Sequence, residues 1–197
     1  FLIHSTLTPL LESNRGCPFR CSFCAWGVSA RDKVRIFHLD QVLEEIRYVA
    51  KLSSASRWIL ADANFGLLER DIEIAREFKK VSEQYSHLRN MLAWNAKNSP
   101  KRIIEISEIL GTISIPLLAV QSFDDEVLRN IRRDNKNNSA TIEVLRYFQS
   151  KGFPTSTDLL LGLPGESYAS HLETLQKAFS VGFDFIDLSY IRMLPGS

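Results

Sequence analysis

Strand-like apolar runs alternate along this chain with amphipathic helical segments, and this alternation limits its fold more than any other feature. The predicted strands cover residues 9–13, 57–62, 90–95, 114–121, 155–161 and 184–190. The later strands are continuous apolar runs, which are typical of a parallel sheet covered on both faces. Because helix-length segments separate the strands, the order favours right-handed βαβ units. The sequence therefore predicts an α/β fold, a partial (βα)6 TIM-like barrel of parallel strands, with a doubly wound sheet as the alternative.

Several helix ends carry capping signals. Ser99 precedes Pro100, and this pair predicts a helix start with a capping serine and a proline at the first helical position. Gly111, Gly152 and Gly182 each follow a helical pattern and precede a strand-like run, which predicts a left-handed C-cap at each glycine. In such folds the loops that follow the strands meet at one edge of the sheet, where we expect the functional residues.

The composition is that of one globular domain. The 197 residues are 45% hydrophobic and 24% charged, and a chain of this length can bury a core without disulfides. A formal net charge of +1 gives no uniform basic field that would attract nucleic acid or an anionic membrane surface. The apolar runs are far shorter than the roughly 20 residues that span a bilayer. We therefore expect a cytoplasmic domain over residues 1–197, cut from a longer chain, with no nucleic-acid or membrane partner.

The chain contains three cysteines, Cys17, Cys21 and Cys24, and all lie within one eight-residue window. An odd number in one short loop is unlike a disulfide framework and favours a reducing compartment. Three thiolates on one loop could bind three irons of a four-iron cluster and leave the fourth iron open to a cofactor or substrate. A zinc site of Cys3His type with His38 is an alternative, and a redox or accidental thiol cluster is another.

The residues around the cysteines resemble the radical S-adenosylmethionine (radical SAM) superfamily. The run ESNRGCPFRCSFC at residues 12–24 is similar to the first strand and cluster loop of that superfamily. The GLPGE turn at residues 162–166 is similar to members that often carry an upstream cobalamin-binding domain. The resemblance extends over nearly the whole chain. It implies a [4Fe-4S] cluster on the three cysteines, with S-adenosylmethionine (SAM) chelating the fourth iron and being cleaved reductively to a 5′-deoxyadenosyl radical.

The resemblance also implies which residues face the adenine of SAM. Phe23, between the second and third cysteines, would lie beside the base, and a core aromatic is its alternative role. Gly162 would let the backbone approach the base closely, and Leu163 would supply main-chain and apolar contacts. Glu166 would stabilise the start of the following helix.

Polar groups after other strands are implied to hold the remainder of SAM. Asp62 and Asn64 occupy the place of a Gly-Gly-Glu-like segment that receives the SAM ammonium, although an Asx turn is the structural alternative. Gln121 and Ser122 would lie near the ribose or the carboxylate, unless Ser122 caps the next helix. Arg133 would hold the carboxylate, with a solvated arginine as its alternative.

The resemblance implies a radical SAM enzyme acting on an unknown small molecule, with a one-electron reductant such as flavodoxin or ferredoxin. Its reaction would be methyl transfer to an unactivated carbon or a rearrangement, assisted by cobalamin in the full-length protein only. A methylthiotransferase-like or coproporphyrinogen-dehydrogenase-like enzyme is the first alternative. A non-catalytic zinc-binding scaffold is an alternative of another class. The sequence identifies no catalytic side chain.

Overall fold

A computed structural model describes residues 4, 7–27, 33–97, 99–133 and 138–192 of the chain. The chain divides into two compact units. Unit 1 comprises Phe1–Arg15 and Arg35–Pro116, and unit 2 comprises Gly16–Val34 and Leu117–Ser197. Each unit is therefore assembled from two separate segments of the chain.

Unit 1 alternates strands and helices in the predicted order. Its strands are β1 (Leu10–Leu11), β2 (Asn14–Arg15), β3 (Arg35–Ile36), β4 (Arg57–Phe65) and β5 (Asn90–Asn95). Its helices are α1 (Leu39–Leu52), α2 (Asp71–Gln84) and α3 (Pro100–Leu110). Strands β1, β4 and β5 form a parallel sheet in that order. Strands β2 and β3 form a separate antiparallel pair, which the sequence did not predict.

The helices of unit 1 bury their apolar stripes in one core. Val42, Ile46 and Val49 of α1 are buried, as the spacing of their apolar side chains predicts. The Trp58 ring lies edge-on to the Phe78 ring, with centroids 6.3 Å apart. Its Nε1–H donates to a backbone carbonyl at 3.0 Å, so the largest side chain of this core has its polar atom satisfied.

Unit 2 contains the second set of alternating elements. They are α4 (Asp125–Asn130), α5 (Asn138–Ser150), β6 (Ser156–Leu161), α6 (Tyr168–Val181) and β7 (Phe185–Tyr190). Strands β6 and β7 pair in parallel over their full length. Their helix-facing side centres on Leu159, which is fully buried with Val120, Leu145 and Ala178. The predicted α/β fold with parallel strands is confirmed, and a partial (βα)6 barrel agrees with it.

The predicted strand at 114–121 is wrong as a continuous strand. Only isolated parallel bridges form, from Leu117 to Ser156 and from Gln121 to Leu159. Between these bridges the Thr157 hydroxyl donates to the Leu118 carbonyl at 2.9 Å, so a side chain replaces the regular ladder there. Gln121 then adopts a φ of 69°, which ends the extended backbone.

The predicted helix ends are partly confirmed. Helix α3 starts at Pro100 with Ser99 at the N-cap, but the Ser99 side chain makes no capping bond. Gly182 ends α6 in the left-handed conformation. Gly111 ends α3 with φ 58° and ψ −132°, outside the left-handed helical region. Within the part of the chain that the structure describes, no helix has the length and apolar character needed to cross a bilayer.

We predict that Gly66→Ala destabilises the protein more than Gly152→Ala. Both glycines have positive φ, 91° and 72°, so both variants carry backbone strain. A methyl group at Gly66 would lie 2.5 Å from Ile103 Cδ1, whereas none of the described atoms lies within 4 Å of one at Gly152. The extra overpacking should lower the free energy of unfolding by about 1–3 kcal/mol relative to Gly152→Ala. Equal losses in urea titrations of the two variants would contradict the packing at Gly66.

Candidate functional site

The three cysteines lie on a loop of unit 2 that begins directly after β2. Cys17 and Cys21 are buried, Cys24 is partly buried, and none is in a disulfide. The Cys24 N–H donates to the Cys21 carbonyl at 3.1 Å, which closes a tight turn between these two residues. The Ser22 N–H donates to the Ile131 carbonyl at 2.9 Å and fixes this turn to the end of α4.

Phe23 and Leu163, the two side chains predicted to face adenine, lie in one apolar cluster. Leu163 is 2% exposed and packs with Val127, Leu128 and Ile131, and the partly buried Phe23 packs against the same group. The GLPGE turn and the cysteine loop thus meet at α4. This arrangement offers a flat aromatic ring and an aliphatic side chain, which could enclose a planar base.

The GLPGE turn is braced by Glu166. The Gly162 N–H donates to Glu166 Oε2 at 2.7 Å, and the Glu166 N–H donates to the Leu163 carbonyl at 2.9 Å. His171 Nδ1 lies 2.9 Å from Glu166 Oε1. A capping box of Ser167 and Ser170 begins α6, and Glu166 contacts His171 in the first turn of that helix, so its stabilising role at the helix start stays a prediction. His171 was missed as part of this turn, since an i, i+5 pair matches no helical spacing.

Arg133 places a guanidinium beside the cysteine loop. Its Nη2 donates to the Ala119 carbonyl, and the group interacts electrostatically with Cys21, Cys24 and Asp158. Burial lowers the pKa of Arg133, and the cysteines oppose this shift. The alternative of a solvated arginine is therefore wrong, because this positive charge is largely removed from water.

Gln121 and Ser122 are both buried in unit 2. The Gln121 backbone bonds to β6, donating to the Asp158 carbonyl at 2.9 Å and accepting from the Leu160 N–H at 3.0 Å. The Ser122 hydroxyl lies 3.3 Å from Thr174 Oγ1 and accepts from the Asp124 N–H. The alternative in which Ser122 caps α4 is wrong, since the Asp124 carboxylate accepts from two N–H groups at that helix start.

Asp158 and Asp187 form a carboxylate pair that the sequence did not indicate. They are direct partners across the parallel strands β6 and β7. Burial, followed by the charge of Asp187, raises the pKa of Asp158 to about 6, and Arg133 opposes this rise. The pairing depends on strand register, which residue patterns alone do not fix.

Asp62 and Asn64 lie in unit 1, among the last four residues of β4. The fully buried Asp62 carboxylate accepts from the Ser13 N–H at 2.7 Å, from the Ser13 hydroxyl, and from Asn14 N–H and Nδ2 at 3.3 and 2.7 Å. Burial raises the pKa of Asp62, and these donors oppose the rise. The Asn64 carbonyl accepts from the Leu67 N–H at 3.1 Å.

The loop that follows Asn64 is held from two sides. Asp71 Oδ2 accepts from the Gly66 and Leu68 N–H groups at 2.8 and 3.0 Å. Arg102 Nη1 donates to the Gly66 and Leu67 carbonyls at 2.9 and 2.8 Å. The second Asp71 oxygen is buried without a hydrogen-bond partner among the described residues.

His38 lies at the start of α1 in unit 1, whereas the three cysteines lie in unit 2. His38 is also exposed. Among the described residues, no three His, Cys, Asp or Glu side chains converge as a single metal ion would require. Three cysteines that bind different irons of a cluster do not need to converge on one point.

The family model described as the radical SAM superfamily matches residues 11–178 of the chain. The 2-(S-pantetheinyl)-carbapenam-3-carboxylate methyltransferase of Streptantibioticus cattleyicolor is 33% identical over 180 residues, which are 88% of this chain and 26% of that protein. The cobalamin-dependent radical SAM methyltransferase TokK of Streptomyces tokunonensis is 32% identical, again over 88% of this chain and 26% of the relative. This chain thus spans about a quarter of the length of both relatives.

The fold is also similar to a solved structure, the radical S-adenosylmethionine methyltransferase TsrM from Kitasatospora setae, with cobalamin and a [4Fe-4S] cluster bound. The TM-score is 0.76 at 16% sequence identity, covering 96% of this chain and 35% of that chain. At this identity the similarity concerns the fold, and it supports the predicted partial barrel.

We predict that Asp71→Asn flattens the pH dependence of stability. Burial raises the pKa of Asp71 from 3.8 to about 6, against hydrogen bonds from the Leu68 and Gly66 N–H groups. The folded state therefore holds this proton more tightly, so its contribution to stability is present at low pH and is lost as the pH rises through 6. From pH 4.5 to 7, the variant should lose about 1–3 kcal/mol less unfolding free energy than the parent.

Urea unfolding of the apoprotein at the two pH values measures this difference, with the exposed Asp125→Asn as the charge-matched control. The control should retain the parental pH slope. A parental slope in Asp71→Asn would show that the Asp71 proton does not contribute.

Proposed function

Because the chain belongs to the radical SAM superfamily, we propose that it forms the part of a radical SAM enzyme that binds a [4Fe-4S] cluster and SAM. The observation that carries the proposal is local to unit 2. There the cysteine loop, the Phe23–Leu163 cluster and the desolvated Arg133 guanidinium adjoin one another. When bound, the cluster and SAM would supply the reductive carbon–sulfur cleavage with which this superfamily begins its radical chemistry.

The donor set fits the cluster. Cys17, Cys21 and Cys24 supply three sulfur ligands from one loop, and cysteine thiolates are the usual ligands of four-iron clusters. Arg133 places a positive charge beside Cys21 and Cys24. With three cysteines in the chain, one iron would have no cysteine ligand and could accept SAM.

The side chains around the loop would bind and orient SAM. Phe23 and Leu163 would enclose the adenine and exclude water, and Gly162, at a φ of 90°, would keep the backbone close to the base. Arg133 would hold the carboxylate through charge-assisted hydrogen bonds. Gln121 and Ser122 would face the ribose.

Asn64 and nearby loop carbonyls are the proposed acceptors of the SAM ammonium. Asp62 is less suited to that role, because Ser13 and Asn14 already donate to both of its carboxylate oxygens. An ammonium group would have to displace donors that the chain itself supplies.

The proposed reaction of the full protein is cobalamin-assisted methyl transfer to a small molecule. The two methyltransferase relatives, at 33% and 32% identity, support this choice over a methylthiotransferase-like or coproporphyrinogen-dehydrogenase-like reaction. The electron would come from a cytoplasmic one-electron donor of the flavodoxin or ferredoxin type. Cobalamin would be bound by residues outside this chain. The sequence of this chain offers no recognisable cobalamin ligand.

We predict that replacing Cys17, Cys21 or Cys24 with alanine abolishes cluster assembly and SAM cleavage while retaining most of the helix content. No cysteine belongs to the described apolar cores of the two units, so the apoprotein should stay folded. Anaerobic reconstitution, iron and sulfide analysis, and detection of 5′-deoxyadenosine after dithionite reduction with SAM measure the effect.

Ser22→Ala, in the same loop, is the matched control and should assemble the cluster. Parental SAM cleavage in any cysteine variant would contradict the ligand assignment. One zinc per chain without acid-labile sulfide in the parent protein would instead support the zinc-scaffold alternative.

A further inference from the structure

The cysteine loop has a narrow base in unit 1. It leaves the unit after β2 and returns through β3, and these two strands pair antiparallel through Asn14↔Ile36 and Arg15↔Arg35. A ribbon of two residue pairs is marginal as an isolated structure. Other contacts must therefore hold the two ends of the loop together.

Asp62 supplies one of these contacts from the interior of unit 1, where it is 0% exposed. It lies in the part of β4 beyond Leu60, where the ladder with β1 has ended and the register with β5 shifts before Phe65. Its carboxylate accepts from the backbone N–H groups of Ser13 and Asn14 and from both of their side chains. Since Cys17 follows Asn14 by three residues, a shift at this point would move the first thiol.

Arg70 joins the outgoing and the returning ends of the loop. Its Nη2 donates to the Ser13 carbonyl at 2.7 Å, and its Nη1 donates to the Phe37 carbonyl. Ser13 precedes β2 and Phe37 follows β3, and the Phe37 N–H also donates to the Ser13 carbonyl at 3.2 Å. One planar guanidinium thus fixes the separation of the two strands, which a single ammonium could not do in the same way.

We propose that Asp62 and Arg70 are positioning residues that hold both ends of the cysteine loop in register, so that its thiols are presented for cluster assembly. Asp62 acts through Ser13 and Asn14 and does not bind SAM. The inference rests on the proposed function for the cluster itself. It replaces the SAM-ammonium role that the sequence predicted for Asp62.

Asp62→Asn is the principal test. The amide keeps the shape of the carboxylate but turns one acceptor oxygen into a donor that faces the Ser13 and Asn14 donors. Chelator-driven loss of the reconstituted cluster, followed by its visible absorption, should be about tenfold faster than in the parent. The SAM affinity of the loaded fraction, measured from the electron paramagnetic resonance of the reduced cluster, should change by less than about twofold.

Arg70→Lys should accelerate cluster loss in the same direction, because lysine lacks the fork that reaches two carbonyls. Asp40→Asn, an exposed residue in the first turn of α1, is the charge-matched control and should behave as the parent. Val81→Ala, in the core of unit 1, is the control for general destabilisation. At a comparable loss of apoprotein melting temperature, it should retain the cluster longer than Asp62→Asn.

A readout without the cluster separates this inference from the proposed function. In the apoprotein, alkylation of Cys17 by iodoacetamide, resolved by mass spectrometry, should be about threefold faster in Asp62→Asn than in the parent. If the parent protein bound no cluster, the proposed function would be overturned. The alkylation rates would still test whether Asp62 and Arg70 hold the ends of the cysteine loop.

The inference would be overturned by any of three results. If Asp62→Asn retained the cluster and were alkylated at Cys17 at the parental rates, Asp62 would not hold the end of the cysteine loop. Normal cluster retention with SAM affinity reduced about tenfold would make Asp62 a SAM ligand. Equal cluster loss in Val81→Ala and Asp62→Asn would reduce the effect to general stability.

Discussion

The chemistry proposed for this chain depends on one constraint, which is that an irregular loop must present three thiols at fixed positions. The loop has two kinds of support. At its base, Asp62 and Arg70 bind the residues that precede the first cysteine and follow the returning strand. Within unit 2, the Ser22 N–H bond to Ile131 fixes the turn between the second and third cysteines to α4.

In unit 2, the positive charge of Arg133 lies beside groups that can carry a negative charge. The Arg133 guanidinium is desolvated beside Cys21 and Cys24, and such a charge is stable when it has anionic partners. Bound thiolates and a cofactor carboxylate would both be such partners. Asp158, with its raised pKa, adds a further acidic group near this arginine. The apolar side chains of Phe23 and Leu163 lower the local dielectric, so these charges interact more strongly than they would in water.

The sequence predicted the features that depend on residue type and spacing. The alternation of elements and the start of α3 at Pro100 follow from such local patterns, whereas the roles of Phe23 and Leu163 beside adenine were implied by the family resemblance. The errors concern contacts that depend on register or on distant partners. The Thr157 hydroxyl replaces a backbone donor beside the predicted fourth strand. The Asp62 carboxylate accepts hydrogen bonds from residues 48 and 49 positions earlier in the chain. No periodicity in the sequence records such pairings.

The proposed function requires three cysteines that hold a four-iron cluster and leave its remaining iron to bind SAM. Mössbauer spectroscopy of anaerobically reconstituted, 57Fe-labelled protein tests it most directly, since the method distinguishes the iron sites of one cluster. Adding SAM should change the isomer shift and quadrupole splitting of a single iron site and leave the three cysteine-bound sites unchanged. A cluster whose iron sites all ignore SAM would contradict it.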